Sequence, residues 1–295
     1  MADHFSQLKL LRRTRDFLIG IDSDGCAFDT MEIKHKECFI PNIVNTWDLQ
    51  AVSRFAREAA EFVNLYSRWR GTNRFPALTM VFDLLADWDE PVARGYQPPQ
   101  VDSLRAWIEA ESRLGNPALA AKAAETGDPV LARALAWSRA VNESIERIVR
   151  GVPPYPYVRQ SLQKVQDAAD MMVVSSTPRE ALQREWAEHG LDEYVGMLCG
   201  QEMGSKAEHL RYGACGKYDA GRILMIGDAP GDLRAAKDNG VLFYPINPGR
   251  EADSWRRFHD EAADRFLAGE YAGPYEQGLI DEFLALLPET PPWKR

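Results

Sequence analysis

Apolar and polar positions along the chain fall into two textures. Residues 17 to 22, FLIGID, form a short apolar run that breaks into Asp22-Ser23-Asp24 and a glycine, the outline of a buried strand closed by turn chemistry. From about residue 31 to 151 the strand signal disappears. There Val52, Phe55, Ala56, Ala59, Phe62, Val63 and Tyr66 recur at helical spacing and share one face of a long helix. The segment PALTMVFDLLADW places Leu78, Val81, Phe82 and Leu85 in the same way. Asp102 or Ser103 offers an N-cap to LRAWIEAESRLG, with Gly115 as its end, and DPVLARALAWSRAVNESIERIVRG reads as a further helix closed by Gly151.

The second texture begins at GVPPYPY, residues 151 to 157, a stiff three-proline turn and a plausible boundary. Beyond it, short apolar runs alternate with helical patterns. A helix over about 157–168 leads to MMVVSS, followed by a helix from Pro178 to His189. YVGMLCG precedes a helix near Lys206, RILMIGDAPGD precedes one running through Lys237, and VLFYPIN leads into the C-terminal helices. Strands alternating with helices predict an α/β fold, a Rossmann-like parallel sheet in three layers. The expected organisation is an α/β core from residues 1–30 and 152–295, interrupted after its first strand by an all-helical insert over 31–151. No internal repeat or low-complexity segment is apparent.

Composition narrows the class. The chain has 295 residues, a hydrophobic fraction of 45% and a charged fraction of 27%, values of an ordinary globular protein long enough for a core and a second unit. A net charge of −9 argues against nucleic acid or a membrane surface as partner, since both favour a basic face. Cys26, Cys38, Cys199 and Cys215 have neither disulfide-framework nor zinc-site spacing. The N-terminus lacks the apolar core of a signal peptide, and the expected location is cytoplasmic. Trp69, Trp88, Trp107 and Trp137 in the insert are expected in its core; the oligomeric state is not readable from the chain.

In parallel α/β sheets, ligands bind at the carboxyl ends of the strands. There the sequence puts Asp22 and Asp24, then Ser175 and Ser176, then Lys206 after the third core strand, then Asp228, with Asp232 opening the next helix. Each has a bland reading: a capping Asp, a serine before a first-turn proline, a solvated lysine. Together they do not, because several carboxylates at one sheet edge repel unless a cation joins them. Magnesium takes hard oxygen ligands, and its charge would keep Asp22 and Asp228 ionised while Asp24, farther away, remains free to titrate. A hydroxyl, an ammonium and helix N-terminal amides are partners that a phosphate wants.

The set IGIDSDGCAFDT, MMVVSSTPRE, GSKAEHL and ILMIGDAPGDLRAAKDNG resembles, in order, the four motifs of the haloacid dehalogenase-like hydrolase superfamily. The resemblance covers residues 17 to 30 and about 155 to 250. It implies that Asp22 is the nucleophile, forming an aspartyl-phosphate, and that Asp24 is the reused general acid/base. The backbone carbonyl of Asp24 with the carboxylates of Asp22 and Asp228 would hold Mg2+, with Asp232 supporting the site directly or through water. Ser175, in preference to Ser176, and Lys206 would bind the phosphoryl oxygens.

By position, the helical insert resembles the family's α-helical cap, which would close over the site and select the leaving group. Its segment YSRWRGTNRFPAL gathers Arg68, Arg70, Asn73 and Arg74 around a helix break. These residues form either a specificity loop for an anionic substrate or a polar inter-helix loop. Asp24 counts against a dehalogenase or a phosphonoacetaldehyde hydrolase. The expectation is a magnesium-dependent phosphatase acting on a small phosphorylated metabolite, with a phosphosugar mutase as the alternative. A non-catalytic binding protein is disfavoured because Asp22, Lys206 and Asp228 are all present.

Overall fold

The computed structural model describes residues 5–294. Its sheet has five parallel strands, β1 (Phe17–Ile21), β2 (Ala169–Val174), β3 (Met197–Cys199), β4 (Ile223–Gly227) and β5 (Leu242–Pro245), in the order β3-β2-β1-β4-β5. The two-residue period of a strand sends alternate side chains to opposite layers. Ile19, Ile21, Met171, Val173, Leu224, Ile226 and Tyr244 face one core. Leu18, Met172, Val174, Ile223, Met225 and Phe243 face the other. Burial on both faces is why these strands read as unbroken apolar runs.

Near the carboxyl end of β1, Gly20 keeps the layers close. A Cβ there would lie 3.1 Å from Val174 Cγ2 and 3.2 Å from Leu210 Cδ2. The layers themselves are helices, among them Val158–Val165 and Arg179–Glu188 in one core, Lys206–Gly213 and Pro230–Asp238 in the other. This is the three-layer α/β core expected from the alternation of strands and helices.

The chain forms two compact units, Met1–Met31 with Gly151–Leu287, and Glu32–Arg150 with Pro288–Arg295. The second unit is helical, with long members Ser53–Asn64, Arg74–Ala86, Asn116–Thr126 and Pro129–Ile148 around its own aromatic core. Trp88, Trp107 and Trp137 are buried in that core and Trp69 packs against it. Asp128 caps the 20-residue helix by accepting from the backbone N–H groups of Val130 and Leu131.

Three local expectations change. Gly115 does not close the helix Asp102–Ala110, which ends five residues earlier; it precedes Asn116–Thr126, a helix whose alanine-rich pattern carries little amphipathic signal. Tyr66 leaves the apolar face, because its helix ends at Asn64, and its hydroxyl donates to Glu32 Oε1 at 2.5 Å. The segment from Pro288 on groups with the helical unit rather than the α/β core. The reason is aromatic: Trp293 stacks on Trp88 with centroids 4.1 Å apart and planes within 5°.

The N-terminal arm of the core is held at the amino-terminal side of the sheet. Lys217 Nζ donates to the carbonyls of Leu8, Lys9 and Leu11, at 3.2, 3.1 and 2.9 Å. The Asp170 carboxylate on β2 accepts from Thr14 N and Oγ1, Arg15 N and Tyr218 Oη. Burial opposes its charge, but these donors win, and its pKa lies below the usual carboxylate value. A depressed folded-state pKa adds stability that is present above the unfolded value, about 3.9, and is lost as pH falls through the folded one. Replacing Asp170 with Ala strands several donors, and thermal unfolding should show a loss of about 2–4 kcal/mol at neutral pH. Below pH 4 the difference from wild type should shrink.

Candidate active site

Parallel register delivers the site. Ile21 of β1 is level with Val173 of β2 and Ile226 of β4. Asp22, Ser175 and Asp228 therefore leave three neighbouring strands at one carboxyl edge. The Asp22 N–H donates to the Ile226 carbonyl, extending the ladder one residue into the site. Ser175 N–H does the same toward the Cys199 carbonyl of β3.

Asp22, Asp228 and Asp232 are buried, and each offers a carboxylate oxygen within 4.8 Å of the others. Asp232 reaches this cluster because Gly227 has no side chain. A Cβ on Gly227 would come within 2.4 Å of Asp232 Cβ, so the glycine of GDAPGD is a steric requirement. The other oxygen of Asp232, Oδ2, accepts from the Ala229 N–H at 3.0 Å and fixes the turn into the helix Pro230–Asp238.

Lys206 opens the helix Lys206–Gly213, whose N-cap is Ser205 in a reciprocal capping box with Glu208. Its ammonium sits 2.7 Å from Asp22 Oδ2 and 2.6 Å from Asp232 Oδ1. Burial works against that charge, but the two carboxylates outweigh it and hold the ammonium above its ordinary pKa. Burial likewise pushes the Asp22 carboxyl well above its usual range, opposed by Lys206 and reinforced by Asp232 and Asp228. His209, one turn behind Lys206, is fully buried; burial drives its pKa down to about 4, so it adds no competing positive charge at neutral pH. Three carboxylates facing one ammonium leave excess negative charge in a dry place. The donor set is all hard oxygen, and it fits a small divalent cation.

Asp24 points elsewhere. Its Oδ1 accepts from Thr30 Oγ1 at 2.5 Å and its Oδ2 from Thr177 Oγ1 at 2.7 Å. Both oxygens are thus oriented by hydroxyls, one from the first residue of the helix Thr30–Ile33 and one from the loop after β2. The Gly25 N–H donates to the Phe28 carbonyl and Gly25 adopts φ 74°, the left-handed turn that lets the chain fold back after Asp24. The aspartates at 22 and 24 therefore stand in unlike settings, one in an ionic cluster and one between alcohols.

Of the two serines, Ser175 is buried at the end of β2 and its Oγ accepts from the Thr177 N–H; Ser176 is exposed. The roles of Thr30 and Thr177 were not expected from the sequence. Both stood in the quoted motifs, but a threonine in such a stretch has no periodicity to mark it. The buried hydroxyl of Ser23, between the two aspartates, was missed for the same reason.

The four residues of the insert fall within the helical unit and engage partners there. The Arg70 side chain is buried and donates to the Leu65 carbonyl. Asn73 caps the helix Arg74–Ala86 and donates to the Leu114 carbonyl. Arg74 donates to Ser138 and Asn142 and lies over the Phe39 ring, burial lowering its pKa to about 10. Arg68 pairs with Glu289 on the surface. These contacts are those of a polar inter-helix junction. No described helix is long and apolar enough to cross a membrane.

Comparison with known proteins adds a family. The profile of the haloacid dehalogenase-like hydrolases matches residues 103–245, just under half of the chain, and spans Ser175, Lys206, Asp228 and Asp232 but not β1. No curated protein matches the chain. A haloacid dehalogenase-like family hydrolase from Streptococcus pneumoniae superposes with a TM-score of 0.45 at 12% identity, covering 84% of this chain and 93% of that one. A predicted phosphoglycolate phosphatase from Haemophilus somnus gives 0.45 at 16% identity, covering 82% and 90%. A predicted phosphatase from Clostridium acetobutylicum gives 0.44 at 12% identity, covering 86% and 98%. Over residues 103–245, therefore, the chain is similar to the haloacid dehalogenase-like hydrolases, and that stretch carries the motif residues Ser175, Lys206, Asp228 and Asp232.

Proposed function

We propose that the chain is a Mg2+-dependent phosphatase that hydrolyses a small phosphorylated metabolite through an aspartyl-phosphate on Asp22. The observation that carries this reading is the meeting of Asp22, Asp228 and Asp232 with the Lys206 ammonium at one buried strand edge. An anion-transfer site needs such an arrangement of a carboxylate nucleophile, fixed positive charge and a cation-binding pocket.

Asp22, Asp228 and Asp232 would hold the magnesium, together with the backbone carbonyl of Asp24. When bound, Mg2+ supplies charge that keeps the carboxylates ionised and neutralises phosphoryl oxygens in the transition state. In the first step an Asp22 carboxylate oxygen attacks phosphorus, the bond from phosphorus to the leaving oxygen breaks, and Asp24 delivers its proton to that oxygen. In the second step water attacks phosphorus, Asp24 takes the water's proton, and the bond to Asp22 breaks. The two aspartates can divide this work because their surroundings differ. Lys206 supports the charge of Asp22, whereas Thr30 and Thr177 hold Asp24 as a separate, orientable acid/base. Ser175 Oγ and Lys206 Nζ are the donors available to the phosphoryl oxygens, in the manner of an oxyanion hole.

Phosphate release from a panel of sugar, nucleotide and short-chain acid monophosphates tests the proposal. Turnover should require Mg2+, stop with EDTA, and fall by about 10³-fold or more in Asp22→Asn. Conversion of a substrate to an isomeric phosphate without release of free phosphate would replace the phosphatase reading with a mutase.

Gly227→Ala tests the geometry of the cluster by a second route. Its Cβ cannot coexist with Asp232 as placed, so the carboxylate must move. Mg2+ affinity by calorimetry should weaken by about tenfold or more, in the range of losses seen when a ligand's support is removed.

A further inference from the structure

We infer that Ser23, the residue between the two aspartates, is a positioning residue that ties their relative placement to the helix Arg179–Glu188. The inference rests on the phosphatase reading for its kinetic consequence, but its structural basis is independent of the reaction.

Every polar atom of Ser23 is engaged. Its N–H donates to Asp22 Oδ1 at 2.8 Å, so its peptide plane orients the proposed nucleophile directly. Its carbonyl accepts from the N–H groups of Cys26, Ala27 and Phe28, at 3.3, 2.9 and 3.0 Å, and draws the following loop into a tight turn. Its hydroxyl accepts from Trp186 Nε1 at 3.0 Å and lies 3.0 Å from Glu185 Oε2. An indole N–H can only donate, so the Ser23 oxygen is the acceptor there and its proton is directed to the Glu185 carboxylate. The order Trp186 to Ser23 to Glu185 therefore follows from the chemistry of the groups.

The consequence is a fixed rotation of the segment 22–24. Ser23 and Trp186 are wholly buried, and Phe28 packs edge-on against Trp186 with centroids 5.7 Å apart. On either side of Ser23, the Asp22 carboxylate meets Lys206 and the Asp24 carboxylate lies between Thr30 and Thr177. The same loop and helix also carry Thr177, which holds Asp24. One segment after β2 thus grips the side chains of both Ser23 and Asp24. A merely space-filling residue at position 23 would be apolar; this one has a hydrogen bond that turns with the nucleophile's peptide.

The test uses p-nitrophenyl phosphate with Mg2+ and the full chain. Ser23→Ala and Trp186→Phe should each lower kcat by about tenfold with KM changed less than about twofold, a loss of reactive-group placement rather than binding. The double variant should lose no more than the worse single variant, because both act through one bond. Glu185→Gln keeps an acceptor oxygen and should stay within about threefold of wild type. In parallel, amide hydrogen exchange at Cys26, Ala27 and Phe28 should quicken in Ser23→Ala by about tenfold, as the loop they anchor loosens.

An active wild type with unchanged kcat in Ser23→Ala, or losses that multiply in the double variant, overturns the inference and leaves the phosphatase reading intact. A wild type that turns over no phosphate ester counts against that reading instead. Exchange then decides alone: quickened amides support the tie and unaltered protection overturns it.

Discussion

The ammonium of Lys206, 2.7 Å from Asp22 and 2.6 Å from Asp232, is the contact on which the rest of the site depends. Three carboxylates cannot be buried together at a sheet edge without positive charge, since each ion's desolvation penalty adds to their mutual repulsion. Lys206 comes from the helix after β3, Asp22 from β1, and Asp232 from the helix after β4. A single side chain therefore joins elements from three βα units. It also leaves the cluster short of neutrality, so that the remaining attraction for a cation is built in. The capping box at Ser205 and Glu208 serves this end by fixing the helix start from which Lys206 projects.

The α/β core was legible because its signal is physical and redundant. Strands buried on both faces must be apolar at every position, and in a parallel sheet their ends must collect at one edge. Asp22 and Asp228 were readable for the same reason, since each follows an apolar run, where a charge has to be explained; Lys206 became readable only in company with them. Ser175 could be preferred to Ser176 by its resemblance to the second motif; in the structure Ser175 is buried and Ser176 exposed.

What stayed hidden lacked periodicity or charge. Thr30, Thr177 and Ser23 act through hydroxyls whose partners lie far along the chain; Thr177 and Asp24 are 153 residues apart. The helix Asn116–Thr126 was hidden by its alanines, which favour helix without marking a face. The arginines around residue 70 were conspicuous as charge, yet Arg70 and Arg74 turn inward and only Arg68 pairs on the surface. Arg74 lies over Phe39 and reaches Ser138 and Asn142, a use of guanidinium as both a flat surface and a multiple donor. Charge in a loop marks a substrate contact only where the interior offers it no carbonyls to satisfy.

Small residues set the limits of the active-site geometry. At Gly227 an absent Cβ admits the Asp232 carboxylate; at Gly25 a positive φ folds the chain back beyond Asp24. At Ser23 the smallest side chain with a hydroxyl fits beneath an indole and still supplies both a donor and an acceptor. At Gly227 the space of a side chain is taken by a carboxylate, and at Gly25 the left-handed backbone disfavours any Cβ. The departures from regular strand chemistry at 22–25 and 227–232 thus accompany one arrangement, the meeting of Asp22, Asp228 and Asp232 at a buried sheet edge.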